Sequence, residues 1–271
     1  MTIGAVETEP VRISALEFDV LWEHFGLDQM PLVLKVPSPG RTDDERKGIV
    51  RRVWDGLAQR GLGSPVGLDP TLERLLLLLR RADREIDGRL WLGGDGAGGG
   101  GGADVRLFTA ATGEDAVLAT LAGETLTLRG ADATGLPRFA LSVLPAAQAG
   151  PGQSITLPSA DFEAAATAAT KQEELATGLR DRGVRAADAT ALAEMIGDIV
   201  HRGQYGCAMR DRWGRRVRAR RVISFFDTAG GRYLQVRRED DGAEPWTTIS
   251  PADGRRMLQQ LSALHEEQLV S

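Results

Sequence analysis

The sequence predicts an α+β fold: a pseudo-twofold duplicated unit, with a central, mostly antiparallel β-sheet and N- and C-terminal helical bundles. Three observations carry this. Between Gly203 and Ile249, short runs of β-branched and aromatic residues are punctuated by glycine pairs such as Gly230-Gly231, the pattern of strands joined by hairpins. Earlier stretches place apolar residues at helical spacing. The same order of elements (strand, two or three helices, meander, helix) is then read twice, and Gly56-Leu57-Ala58-Gln59-Arg60-Gly61 is answered by Gly178-Leu179-Arg180-Asp181-Arg182-Gly183. The small-residue stretch Ala146 to Gly152 marks the boundary, so residues 1–150 and 151–271 are expected to be two halves of one continuous globular unit.

In the first half, Val11-Arg12-Ile13 reads as a short strand. Ser14 with Glu17 makes a capping box, and Phe18, Leu21, Trp22 and Phe25 form one helical stripe that Gly26 ends. Leu32 to Val36 reads as extended and stops at Pro37. Thr42 with Glu45 is a second capping box; Val50, Val53, Trp54 and Leu57 give its stripe and Gly61 the C-cap. Asp69-Pro70 starts a third helix, whose leucines at 72, 75, 76 and 79 face one way. Leu77 and Leu78 widen that stripe, so cover on most sides is expected. From Glu85 the period becomes that of strands, near 86–92, 105–109, 116–121 and 125–129, with a glycine tract at 93–102 between the first two and a short helix near 136–144.

The second half starts with Ile155-Thr156-Leu157 as a strand. Ser159 is expected to cap a helix carrying Phe162, Ala165, Ala166 and Ala169. Leu192, Met195, Ile196 and Ile199 make the next helical stripe, with His201 at the helix end. Strands at 222–228, 232–238 and 246–249 follow, then a closing helix from about Pro251 to Gln268.

Composition narrows function. With 42% apolar and 26% charged residues the chain is globular, and a net charge of −5 argues against nucleic acid as the main partner. The one cysteine, Cys207, allows no internal disulfide and reads as a buried thiol. His24, His201 and His265 lie too far apart for a zinc site. Met1 to Pro10 holds no apolar signal core, and no apolar run is long enough to span a bilayer, so a cytoplasmic chain without membrane insertion is expected. The glycine tract is not a phosphate cradle: Ala103-Asp104-Val105 follows it where Lys-Ser or Lys-Thr would be needed. It reads instead as a linker or as a loop that orders on a protein partner. The basic run Arg210, Arg212, Arg215, Arg216, Arg218, Arg220 and Arg221 contains one aromatic, Trp213; a solvated strand face paired with acids is the better reading than base stacking. No catalytic or metal constellation emerges, and neither an enzyme nor a cofactor is expected.

Four stretches carry a resemblance: Pro37-Ser38-Pro39-Gly40-Arg41-Thr42, Arg84-Glu85-Ile86-Asp87-Gly88-Arg89-Leu90-Trp91, Arg210-Asp211-Arg212-Trp213-Gly214-Arg215-Arg216, and Phe225-Phe226-Asp227-Thr228 with Gly231-Arg232-Tyr233-Leu234. In these residues and their order the chain resembles the EspG family, the ESX (type VII) secretion-associated chaperones of actinobacteria. The resemblance implies a cytosolic, ATP-independent chaperone that binds the helical tip of the PPE subunit in a PE–PPE heterodimer, keeps it soluble and helps direct it to the secretion machinery. The regions it implies for contact fall on residues 93–104 and roughly 160–202. The residues expected to contribute are Trp91, Gly94, Asp95, Gly98, Gly100, Asp104, Glu194, Asp198, His201 and Arg202. The alternatives from other classes are a nucleic-acid-binding regulator using the arginine-rich strand and an uncharacterised α+β enzyme.

Overall fold

The computed structural model describes residues 9–27, 29–93, 101–239 and 244–267. In chain order its elements are β1 (Val11–Ser14), α1 (Ala15–His24), a 3-10 turn (Leu32–Leu34), α2 (Asp43–Gln59), β2 (Gly63–Ser64), β3 (Gly67–Leu68), α3 (Pro70–Arg80), β4 (Arg84–Leu92), β5 (Ala103–Thr112), β6 (Asp115–Ala122) and β7 (Thr125–Asp132). A 3-10 turn (Ala133–Gly135), α4 (Leu136–Leu141), β8 (Ile155–Pro158), α5 (Ser159–Ala168), α6 (Gln172–Asp181) and α7 (Ala186–Met195) follow. The chain ends with β9 (Ile199–Arg210), β10 (Arg216–Arg218), β11 (Ile223–Thr228), β12 (Gly231–Arg238), β13 (Trp246–Pro251) and α8 (Gly254–Glu267).

Among the described residues the large sheet has eleven strands, in the order β1-β7-β6-β5-β4-β9-β11-β12-β13-β8, with β10 pairing β9 off this path. Outward from β4 the order is β5, β6, β7, β1; outward from β9 it is β11, β12, β13, β8. Each half is therefore a meander closed by its own N-terminal strand, and one topology is used twice. The hairpin ladders β5–β6, β6–β7, β11–β12 and β12–β13 are antiparallel, as are the closing pairs β1–β7 and β13–β8. By packing, the chain forms two compact units: residues 1–88 with 104–140 and 208–217, and residues 89–103 with 141–207 and 218–271. β4 and β9 each run from one unit into the other.

The first unit shows why its helices start where they do. Ser14 Oγ accepts the Glu17 N–H at 3.1 Å while Glu17 Oε2 accepts the Ser14 N–H at 2.7 Å; Thr42 and Glu45 repeat the exchange at 3.2 and 3.3 Å. Asp69 caps α3 through the Leu72 N–H at 2.9 Å, with Pro70 at the first helical position. Phe18 and Leu21 of α1, Trp54 and Leu57 of α2, and Leu72, Leu75, Leu76 and Leu79 of α3 are buried with Val117 and Leu121 of β6 and Leu126 and Leu128 of β7. Each buried side chain of this size contributes about 1.5–3 kcal/mol relative to exposure. Arg46 of α2 ties the pair of helices together through Asp19 and Glu23 of α1.

The second unit buries Phe162 and Ala165 of α5, Leu175 and Leu179 of α6, and Leu192 and Met195 of α7 with Phe226, Tyr233 and Ile249 of the sheet. The paired Gly-Leu motifs end their helices alike. In α2 the Leu62 N–H returns to the Leu57 carbonyl at 2.9 Å; in α6 the Val184 N–H returns to the Leu179 carbonyl at 3.1 Å. Gly61 and Gly183 take the left-handed conformation, φ +70° and +85°, that this cap requires.

Four sequence expectations need correction. Leu32 to Leu34 form a 3-10 turn, not an extended segment, and Leu32 is exposed. Ser159 is the first residue of its helix, not its cap; Pro158 holds that position, and the Ser159 hydroxyl bonds the Thr247 hydroxyl at 2.8 Å. Leu77 stays 44% exposed, so α3 is open on one side. The stripe Leu192 to Ile199 is split: α7 stops at Met195, and Ile199 and His201 belong to β9. Gly197 and the β-branched Ile199-Val200 pair favour leaving the helix there.

Candidate functional site

The expected contact residues that come together lie where β4 ends and β9 begins, in the second compact unit. Along β9 exposure alternates: Val200, Arg202 and Gln204 are exposed, whereas Ile199, His201 and Gly203 are half-buried and Tyr205 is buried. Arg202 is opposite Phe226 in the ladder, and directly opposed residues share a sheet face. Since Phe226 belongs to the core under α5, α6 and α7, Arg202 and Gln204 are on the helix-bearing face, and a register shift at Val200 interrupts the alternation there.

Trp91 of β4 joins this row. The Arg202 guanidinium carbon stands 5.0 Å from the indole centroid, a cation–π contact that restrains both side chains. The next residues bind the strands together: the Gly93 N–H donates to the Val200 carbonyl at 2.9 Å and to His201 Nδ1 at 3.0 Å. His201 thus positions the strand end rather than capping a helix.

Glycine is required at both ends of the tract. A Cβ on Gly93 would lie 2.3 Å from the Val200 carbonyl oxygen, and one on Gly102 would lie 2.7 Å from the Trp91 ring. Backbone approach to the indole at Gly102 is therefore closer than any side chain permits.

Of the other expected residues, Glu194 on α7 and Asp198 before β9 are exposed, and neither has an ion-pair partner among the described residues. Asp104 is exposed in β5 and belongs to the first compact unit. Gly94, Asp95, Gly98 and Gly100 lie outside the described residues. Among the described residues no group of three His, Cys, Asp or Glu is placed to hold a metal ion, and no described helix is long and apolar enough to cross a membrane.

Residues 14–263 match the EspG family. The chain belongs to that family. Its fold is similar to that of the Mycobacterium tuberculosis type VII secretion system chaperone EspG5, solved in complex with a PE25-PPE41 dimer: the TM-score is 0.70 at 16% identity, over 94% of this chain and 95% of that one. At this identity the likeness speaks for the fold. No curated protein sequence matches the chain.

The stretches that carried the resemblance have structural work to do in this EspG protein. Phe225 to Leu234 fold into the β11–β12 hairpin, with Asp227 directly opposite Arg232. Arg232 grips the Asp227 carboxylate with two bonds, at 2.7 and 2.8 Å, and gives a third to the Pro145 carbonyl at 3.0 Å. Tyr233 stacks on Phe226 at 5.2 Å and donates to the Pro151 carbonyl at 3.0 Å. Gly231, at φ +131°, opens β12 directly after the turn at residues 229–230. In the first unit, Glu85 pairs with Arg216. Val200, Gly93 and Gly102 fall inside the regions expected from sequence but were not named individually, and Gln204 lies outside them. Sequence ended the helix at His201 and began the strands at Gly203; the β-branched Ile199-Val200 pair after Gly197 was the available signal that the strand starts earlier.

Proposed function

We propose that this EspG protein is a cytosolic type VII secretion chaperone that holds the helical tip of the PPE-like subunit of a PE–PPE heterodimer and delivers the dimer to the secretion machinery. Membership of the EspG family over residues 14–263 carries the reading. The likeness to EspG5, solved with a PE25-PPE41 dimer, supports it.

The mechanism is surface coverage, with no reaction and no nucleotide. An apolar helical tip docks on Trp91 and Val200; Arg202 and Gln204 frame it with donors, and Glu194 and Asp198 set charge at the rim. Burying an exposed apolar tip removes the surface that would otherwise drive aggregation, at roughly 25 cal/mol per Å². Gly94, Asp95, Gly98 and Gly100 also contact the client in this reading. The two halves, 1–150 and 151–271, descend from one duplicated unit, which the repeated strand order supports.

The test is calorimetric titration with a PE–PPE dimer, supported by co-elution on gel filtration. Wild type binds and keeps the dimer in solution on heating, and Trp91→Ala with Arg202→Ala weakens binding at least tenfold, about 1.4 kcal/mol. Full affinity in a correctly folded double variant would remove this surface from the reading. Failure to bind any of a panel of PE–PPE dimers would count against the chaperone itself.

A further inference from the structure

The arginine-rich run is not part of the proposed client surface, and it folds into a braced hairpin tip. β9 ends at Arg210 and β10 begins at Arg216. Between them, Asp211 organises the turn: Oδ1 accepts the N–H of Trp213 and of Arg215, each at 2.9 Å, and Oδ2 accepts Arg215 Nε at 2.9 Å. Gly214, at φ +77°, donates its N–H to the Asp211 carbonyl at 2.8 Å. Arg210 braces the turn by donating to the Gly214 carbonyl at 2.8 Å and to the Ala82 carbonyl at 3.1 Å. Desolvation pushes the Asp211 carboxyl up, but the donors of Arg215 and Trp213 outweigh it and hold the group below the usual carboxylate range. Asp211 is therefore ionised at neutral pH, the form that accepts all three of these bonds.

On this frame Trp213 is presented outward, 64% exposed. The Arg212 guanidinium stacks 4.0 Å from its centroid and that of Arg215 4.9 Å away. A guanidinium stacked by its face still offers its N–H edge to a carboxylate. Arg215 is committed to Asp211 and Arg216 to Glu85. Arg212 has no acidic partner among the described residues. Val217 beside them is also exposed.

Charge points to the kind of partner. Residues 210–218 carry five arginines and one acid, in a chain of net charge −5. A nucleic acid would need further stacking aromatics and a basic domain; a lipid surface would need a broader apolar face than one indole. A peptide carboxylate beside an apolar side chain needs one bidentate cation and one aromatic shelf, the pair most enriched at binding hot spots. Arg212 and Trp213 supply both, pre-ordered, which lowers the entropy lost on docking.

We propose that the hairpin tip from Asp211 to Arg216 is a second protein-docking site, for an acidic segment of a partner other than the client. A carboxylate of that segment seats on Arg212 and an apolar side chain on Trp213. The site belongs to the first compact unit, whereas Trp91 and Arg202 belong to the second, and it does not rest on the client reading.

The test uses the full chain and a fluorescein-labelled octapeptide of alternating glutamate and leucine, with a lysine–leucine peptide as control, read by anisotropy. The acidic peptide is expected to bind, more weakly as salt rises, and the basic one not to bind. Arg212→Glu should weaken binding at least tenfold and Trp213→Ala at least threefold, with melting temperature and client binding unchanged. Arg212→Lys keeps the charge without the planar fork and should fall between. Equal peptide affinity in folded Arg212→Glu and wild type overturns the proposal. So does an Arg212-dependent preference for anionic phosphatidylglycerol vesicles or for duplex DNA over the peptide.

Discussion

Removing one partner of the Asp227–Arg232 pair should cost more than removing both. The two side chains are 4% and 3% exposed, and the guanidinium also satisfies the Pro145 carbonyl and lies 5.2 Å from the centroid of the Phe225 ring. In Arg232→Met the carboxylate remains in the hairpin interior with neither charge partner nor water. Breaking a buried pair in this way typically costs about 3–5 kcal/mol, whereas replacing both partners by apolar residues of similar volume is often neutral or stabilising. For a chain of this size each kcal/mol moves the melting temperature by about 2–4 °C, so the single variant should melt roughly 6–20 °C lower. The double variant Asp227→Leu with Arg232→Met should recover at least half of that loss; the lost bond to the carbonyl of exposed Pro145 sets the remainder at about 1 kcal/mol. Urea titration at constant m-value checks the free energies. A single-variant loss below about 1 kcal/mol, or a double variant as unstable as the sum of the singles, would refute the account of this pair as a buried charge that needs its partner.

Three further outcomes follow from local chemistry. Tyr205 is fully buried and its hydroxyl has no hydrogen-bond partner among the described residues, and burial raises its phenol well above the ordinary range; Tyr205→Phe should therefore raise stability by about 1 kcal/mol by chemical denaturation, and a loss would reveal a hydrogen bond. Burial raises the Glu85 carboxyl despite Arg216 and Arg210 nearby, with Asp87 adding to the rise. The folded chain then holds that proton where the unfolded one, near pH 4.3, has released it, so stability falls as pH rises between the two values. Melting profiles of Glu85→Gln should lose that fall. Ser14→Ala and Thr42→Ala each remove half of a capping box and should cost about 1 kcal/mol apiece, additively; no measurable loss in either would mean that the helix starts are fixed by packing alone.

Residues that act locally were legible in the sequence. Ser14 with Glu17, Thr42 with Glu45, and Asp69 before Pro70 announced three helix starts, because a cap needs only the next turn of its own chain. Alternation announced β4 to β7 and β11 to β13, and the paired Gly-Leu motifs announced two helix ends of one geometry. The resemblance added the family, since it rests on the number and order of short motifs. What sequence missed depends on partners far along the chain. His201 reads as a helix end from its neighbours, yet β9 is extended because Phe226, Arg202's neighbour in the ladder, comes from a strand over twenty residues later. Ser159 has the chemistry of a cap, but Thr247 claims its hydroxyl. In sequence, Gly93 and Gly102 are two more members of a glycine tract. Only the fold sets Val200 and Trp91 against them and leaves no volume for a Cβ. Periodicity and caps are properties of a few consecutive residues, so sequence determines them. Which exposed face remains, and which side chains meet on it, is decided by pairing across long loops, and that information exists only once the strands have been brought together.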